Sequence, residues 1–235
     1  LWDDLASLLM NHFRVICLDQ RGHGDSDWAR PPAYGCNDYV SDLEGFIAAL
    51  RLEKPILMGH SMGALHATRY ASTRPRKVAA LIHMDIEPCP PDWNRDYLRG
   101  LYHRLPAFYD SVEAFAEVLK RSSPYAAQET IHRLACHALK PGEDGKFYAK
   151  CDKELFDHFD QYDLRADLRR ILCPTLLVRG EESVVMRREK ALEMQQAISG
   201  SRLVEIPRAT HRLVTDNPSA LGEAVLDFLT EHRLL

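Results

Sequence analysis

Pro55-Ile56-Leu57-Met58-Gly59-His60-Ser61-Met62-Gly63 is the stretch on which the fold turns. A short apolar run breaks into Gly-x-Ser-x-Gly, and the residues that follow, Ala64 to Ser72, are rich in small helix formers until Pro75 stops them. Strand, tight turn and helix in that order hold a serine at a strained corner, with its hydroxyl lifted clear of the sheet. Small residues two before and two after the serine let strand and helix approach without Cβ clashes, and Gly59 and Gly63 fill both places. The helix begun at Met62 would aim its free N–H groups at negative charge developing beside Ser61.

Working outward, the same alternation repeats. Trp2, Leu5, Leu8 and Leu9 recur at helical spacing, Asn11-His12 closes that helix, and Arg14-Val15-Ile16-Cys17-Leu18 reads as a buried strand. Asp19 to Ser26, with two glycines and a polar run, is a loop. Asn37 or Asp38 can cap a helix whose Val40, Leu43, Ile47 and Leu50 share one face. Beyond Pro75, Val78 to Met84 is the next buried strand. The pattern resumes far downstream with Pro174 to Val178 (strand), Arg187 to Ile198 (helix), Arg202 to Ile206 (strand) and Pro218 to His232 (helix). Strands alternating with helices predict a mostly parallel sheet with helices on both faces.

Between these halves the pattern changes. Pro88, Pro90 and Pro91 break the chain, and a long stretch with helical periodicity and no convincing strand follows. Ser111 to Lys120 and Gln128 to Leu139 are amphipathic, and Lys140 to Gly145 is a turn-rich loop. The expected division is therefore a core of residues 1–88 and 166–235, with residues 89–165 inserted as a helical cap. Trp93, Tyr97, Tyr102, Phe108, Tyr109 and Phe115 in that insert suit either the lining of an apolar pocket or the insert's own core.

With 46% hydrophobic residues among 235 and 27% charged, the chain can bury a full core. A formal charge of −4 and no dense basic cluster argue against a nucleic-acid partner. The six cysteines, Cys17, Cys36, Cys89, Cys136, Cys151 and Cys173, are scattered with no C-x-x-C pair, which suggests neither a zinc site nor a disulfide framework and fits a reducing cytosol. No apolar run approaches the about 18 residues of a membrane span, and the first residues do not read as a signal peptide. The expected partner is a small-molecule substrate in the cytoplasm, with no membrane; self-association into a homo-oligomer stays open.

A serine hydroxyl is a weak nucleophile near neutral pH and needs a general base within hydrogen-bond reach and a third group to orient that base. Of eleven histidines, His211 stands in the turn Pro207-Arg208-Ala209-Thr210-His211 just after the last strand. Loops leaving the carboxyl ends of parallel strands converge on one edge, so Ser61 and His211 can meet although distant in sequence.

At this point the residues resemble the α/β-hydrolase superfamily, and within it the capped small-molecule esterases, enol-lactonases and carbon–carbon bond hydrolases. The resemblance spans nearly the whole chain and is carried by DQRGHGDS at 19–26, GHSMGA at 59–64, DIEP at 85–88, CPTLLVRGEES at 173–183 and RLVEIPRATHRLVTDNP at 202–218. It implies a nucleophile at Ser61, a base at His211, an oxyanion donor in the Met62 backbone N–H and no metal or organic cofactor. A serine at the elbow, where relatives that displace halide or open epoxides carry aspartate, implies acyl chemistry on an ester, lactone or similar bond of a small, largely apolar substrate. His23 and His60 are expected to be structural neighbours. The same residues would also serve a non-catalytic binding scaffold of this fold, an acyltransferase or a cofactor-free peroxidase.

Two departures stand out. The family's acid belongs three or four residues past Gly180, where this chain has Ser183 and Val184, so Glu182 is the nearest carboxylate and the first candidate; Asp85 and Glu87, after the earlier strand, are the alternatives, and Glu181 reads as a solvated charge. Relatives also begin with further strands and a His-Gly loop that donates a second oxyanion N–H, whereas this chain starts in the helix after that loop. The resemblance thus implies a core incomplete at its N-terminal end, with a gap that neighbouring strands would have to close.

Overall fold

The computed structural model of the chain describes residues 1–158 and 161–235. Helices α1 (Asp3–Leu9) and α2 (Cys36–Ala49) precede strand β1 (Ile56–His60), helix α3 (Met62–Thr73) and strand β2 (Ala80–Met84). After the insert come β5 (Thr175–Gly180), α9 (Arg188–Ala197), β6 (Arg202–Ile206), α10 (Leu213–Asp216) and α11 (Pro218–Glu231). The four strands form one sheet in the order β1-β2-β5-β6, every pair parallel.

Alternation along the buried strands sends side chains to two helical layers. Leu81 of β2 and Leu177 of β5 pack with Val40, Ile47, Leu65, Tyr70 and Met194, so α2, α3 and α9 cover one face. Ala80, Ile82 and Met84 of β2, with Leu176 and Val178 of β5, pack on the other face against Leu5, Leu9, Leu221, Val225 and Phe228 of α1 and α11. The result is a parallel sheet with helices on both faces, the architecture expected from the alternation of strands and helices.

Two expectations fail near the N-terminus. The segment Arg14 to Leu18 forms no strand, and Ile16 and Cys17 are exposed. A ladder needs a neighbour about 4.8 Å away, and among the described residues no strand lies beside this segment or on the outer side of β1, which pairs with β2 alone. Among the described residues β1 is an edge of the sheet. The cap of α2 also differs: Gly35 is the N-cap, and Asp38 sits in the first turn with its carboxylate accepting the Gly35 N–H at 2.9 Å.

The insert between β2 and β5 carries α4 (Asp92–Arg104), α5 (Val112–Ser122), α6 (Gln128–Ala138), β3 (Leu139–Pro141), β4 (Phe147–Ala149), α7 (Leu155–His158) and α8 (Arg165–Leu168). Positions 159 and 160 of the expected cap lie outside the described residues. Ser111 caps α5, its hydroxyl accepting the Ala114 N–H. The turn expected at Lys140 to Gly145 is the tip of an antiparallel hairpin that periodicity missed, because three residues per strand are too few to show alternation. Arg133 pairs with Asp4 of α1, and the Asp152 N–H donates to Gly22 at 2.8 Å, so the insert is pinned to the core at separated points.

Candidate active site

The parallel ladder continues one step past the strands and brings their ends together. Ser61 N–H donates to Met84 C=O, Asp85 N–H to Val178 C=O, and Glu181 N–H to Ile206 C=O, each at 2.9 Å. Ser61, Asp85 and the Glu181-Glu182 pair thus follow β1, β2 and β5 on one edge, and His211 follows β6.

Ser61 sits at φ 54°, ψ −127°, a backbone region that costs a non-glycine residue of the order of 1–3 kcal/mol. The corner is held by β1 on one side and α3 on the other, and Gly59 is what permits their approach: a Cβ there would collide with the Gly63 carbonyl and the Ala64 N–H. Gly63 differs from the expectation, because a Cβ at that position meets nothing within 4 Å. The steric demand falls on one glycine of the pair.

The Ser61 hydroxyl lies 3.1 Å from His211 Nε2, and His211 Nδ1 lies 2.8 Å from Asp85 Oδ2. Asp85 is fully buried and its carboxylate is saturated by donors, the Gly180 N–H at 2.9 Å and the Ser183 hydroxyl at 2.5 Å besides the imidazole. With Oδ2 accepting a hydrogen bond from Nδ1–H, the tautomer is fixed and the imidazole turns its other nitrogen, Nε2, to the serine.

Glu182, the first candidate for this place, does not occupy it. Its N–H is tied to Ala209 C=O at 2.9 Å, which turns its exposed side chain outward, where Oε1 accepts from the Tyr125 hydroxyl at 2.6 Å. The space against His211 is already filled by Asp85. The other alternative, Glu87, is buried in a two-point ion pair with Arg187 at 2.7 and 3.0 Å. Two groups missed in the sequence are Ser183 and Gly180. Ser183 holds one of the positions where relatives carry the acid, and here it donates to the acid from the neighbouring strand. A serine in that place, with Asp directly after β2, was the available signal.

His60 is a neighbour of the site, as expected: its Nε2–H donates to the His211 carbonyl at 2.6 Å, with the two rings 4.7 Å apart. Desolvation, and next to it the charge of His211, hold the His60 imidazole well below its ordinary pKa, so it stays neutral. His23 turns into its own loop, Nδ1 donating to the Arg21 carbonyl at 3.1 Å. The Met62 N–H opens α3, among the first-turn donors a helix leaves without an internal acceptor. Its side chain packs on a cluster of Tyr34, Tyr39, Leu155 and Phe156, which Tyr102 of the insert also joins by stacking on Phe156. Tyr109 and Phe115 are instead core of the insert itself, and Trp93, Tyr97 and Phe108 are exposed.

Among the described residues no group of three or more His, Cys, Asp or Glu side chains is placed to hold a metal ion, and no helix is long and apolar enough to cross a membrane.

A family model described as alpha/beta hydrolase fold matches residues 1–218. Among similar proteins, a 2-(acetamidomethylene)succinate hydrolase of Mesorhizobium japonicum is 26% identical over 97% of this chain and 82% of its own length. A 3-hydroxybutyrate-oligomer hydrolase of Cupriavidus necator is 29% identical over 95% of this chain and 82% of its own. The crystal structure of an E-2-(acetamidomethylene)succinate hydrolase superposes with a TM-score of 0.86 at 25% identity, covering 97% of this chain and 87% of that one.

Proposed function

Because this chain belongs to the alpha/beta hydrolase fold family, and its kinship supports hydrolase activity, we propose that it is a serine hydrolase working through an acyl-enzyme on Ser61. The observation that carries this reading is the unbroken chain from Ser61 Oγ to His211 Nε2 at 3.1 Å and from His211 Nδ1 to Asp85 at 2.8 Å. Ser61 Oγ attacks the acyl carbon as Nε2 takes its proton, and Asp85 balances the imidazolium charge. The Met62 N–H donates to the tetrahedral oxyanion. His211 then returns the proton to the departing alcohol or amine, and water, deprotonated in turn by Nε2, releases the acid and restores Ser61.

The substrate is an ester, lactone or similar acyl bond in a small, largely apolar molecule. The insert, residues 89–165, is the cap over this edge, a reading supported by Tyr102, which packs on the same cluster as Met62. Its names among relatives are consistent, since both the Mesorhizobium and the Cupriavidus proteins are called hydrolases. Backbone strain of the kind retained at Ser61 clusters at active sites, which supports catalysis over a binding scaffold.

A fluorophosphonate probe tests this. The native protein takes one adduct at Ser61, and Ser61→Ala takes none while keeping its thermal transition. Labelling that survives the substitution removes Ser61 from the mechanism.

A further inference from the structure

Arg212, the residue directly after His211, is charged and half-buried, yet no described carboxylate lies within 4.0 Å of it. Every other arginine buried to that degree or more is ion-paired: Arg21 with Asp42, Arg69 with Asp167, Arg74 with Glu44 and Arg179 with Glu205 are examples. A guanidinium has five donors, and the side-chain partner of Arg212 is the Ser122 hydroxyl at the end of α5, at 3.5 Å. Its backbone is not free to swing away, since its N–H donates to Thr210 Oγ1 at 3.1 Å and its C=O accepts from Thr215 and Asp216.

The position matters as much as the missing partner. Arg212 stands where the last strand's loop meets the insert. Its charge is felt at His60, beside the serine corner, where it adds to the effects that hold the ring neutral. It is felt also at Tyr102 on α4, where burial pushes the phenol up and Arg212 pulls the other way. Arg212 thus follows the base directly in the chain and, through Ser122, touches α5 of the insert.

We propose that Arg212 is a specificity residue that receives a carboxylate on the acyl substrate attacked by Ser61. The preferred substrates are then acyl compounds with an apolar body and a second, free carboxylate. This deepens the serine-hydrolase reading and rests on it. A carboxylate accepts two parallel N–H bonds from a guanidinium, and the pairing is strongest where water is partly excluded, as it is here. The ester itself needs no such partner, so the contact selects the substrate without entering the chemistry.

The test compares para-nitrophenyl hexanoate with mono-para-nitrophenyl adipate, which differ by the terminal carboxylate. In the native protein the adipate monoester has the higher kcat/KM. In Arg212→Met the ratio of the two kcat/KM values falls about tenfold or more, the loss of one charged hydrogen-bonded contact, and it falls through KM. Arg212→Lys, which keeps the charge and loses the fork, gives a ratio between the two. A ratio that stays within about threefold of the native value in Arg212→Met overturns the proposal. Should that variant fail to fold, the native protein still decides: glutarate slows fluorophosphonate labelling of Ser61 more than neutral glutaramide does, and equal protection by both overturns the proposal. Normal labelling with an unmoved ratio strikes this inference alone, whereas a native protein that takes no probe at Ser61 strikes the serine reading and this inference with it.

Discussion

Asp85 reaches His211 because its backbone turns sharply at the end of β2, at φ 54°, a left-handed value that aspartate tolerates better than most residues. That bend swings the carboxylate across β5 to the Gly180 N–H and the Ser183 hydroxyl, and the imidazole completes its shell. Removing the charge while keeping the shape is the informative change. Asp85→Asn offers an N–H₂ to Nδ1, favours the wrong tautomer and leaves the imidazolium unbalanced, and turnover falls by about 10⁴, as in another Ser-His-Asp triad. Glu182→Gln disturbs an exposed bond to Tyr125 and keeps turnover within about threefold. Steady-state rates on one activated ester separate the two; a severe loss in Glu182→Gln with a mild one in Asp85→Asn would reverse the assignment. Ser183→Ala removes one donor from a buried carboxylate and lowers stability by about 1–3 kcal/mol, read as a shift in the denaturation midpoint.

At the scale of elements, the site depends on how closely β1 can lie against α3 and how closely β5 can lie against the loop before His211. Glycine sets both distances. A Cβ at Gly180 would collide with the carbonyls of Ala209 and Thr210, the residues leading into His211, and one at Gly59 would collide with the turn of α3. Neither contact can relax by rotating a side chain, since the obstructing atoms are backbone. Gly59→Ala is therefore expected to cost about 1–3 kcal/mol by overpacking. Gly63→Ala, in a helix with open space at that point, is expected to be neutral or to stabilise by a few tenths to about 1 kcal/mol. Thermal melts of the two variants give the contrast directly, and equal losses would contradict it.

Across the whole molecule, stability is tied to pH through histidines buried in the neutral form. His66 lies between Gln20 and the Tyr162 hydroxyl, and His83 between Thr68 and the Ile86 carbonyl, both almost fully buried. Burial pushes the His66 imidazole down to about 3 and the His83 imidazole down to about 4. The unfolded chain takes up protons near pH 6.5 while the folded chain does not, so the stability is present above about pH 6.5 and is lost as pH falls toward about 4. In that window each group contributes a slope of about 1.4 kcal/mol per pH unit. Melting temperature should fall across it, and the doubly substituted His66→Gln, His83→Gln protein should show a flatter dependence even though it is less stable at pH near 7. An unchanged slope would assign the acid sensitivity to other groups.

The local chain order determined much of this protein without help from distant contacts. Gly-x-Ser-x-Gly after an apolar run names the serine corner, because strand and helix periods meet there within a few residues. The return of the same alternation after residue 174 places His211 on the same edge as Ser61, because parallel strands all end on one side. What local order left open was decided between strands. The partner of His211 is chosen by which carboxylate side chain crosses from one strand end to the next, and Glu182, nearer in the expected loop, is held outward by a backbone bond to Ala209 that no window of sequence contains. Arg14 to Leu18 has the composition of a strand and is not one, because a strand exists only when a neighbour completes its ladder. The standing of Arg212 as a charge without a carboxylate among the described residues is likewise a fact of tertiary structure, since an ion pair, or its absence, is a relation between residues that only the folded chain brings near.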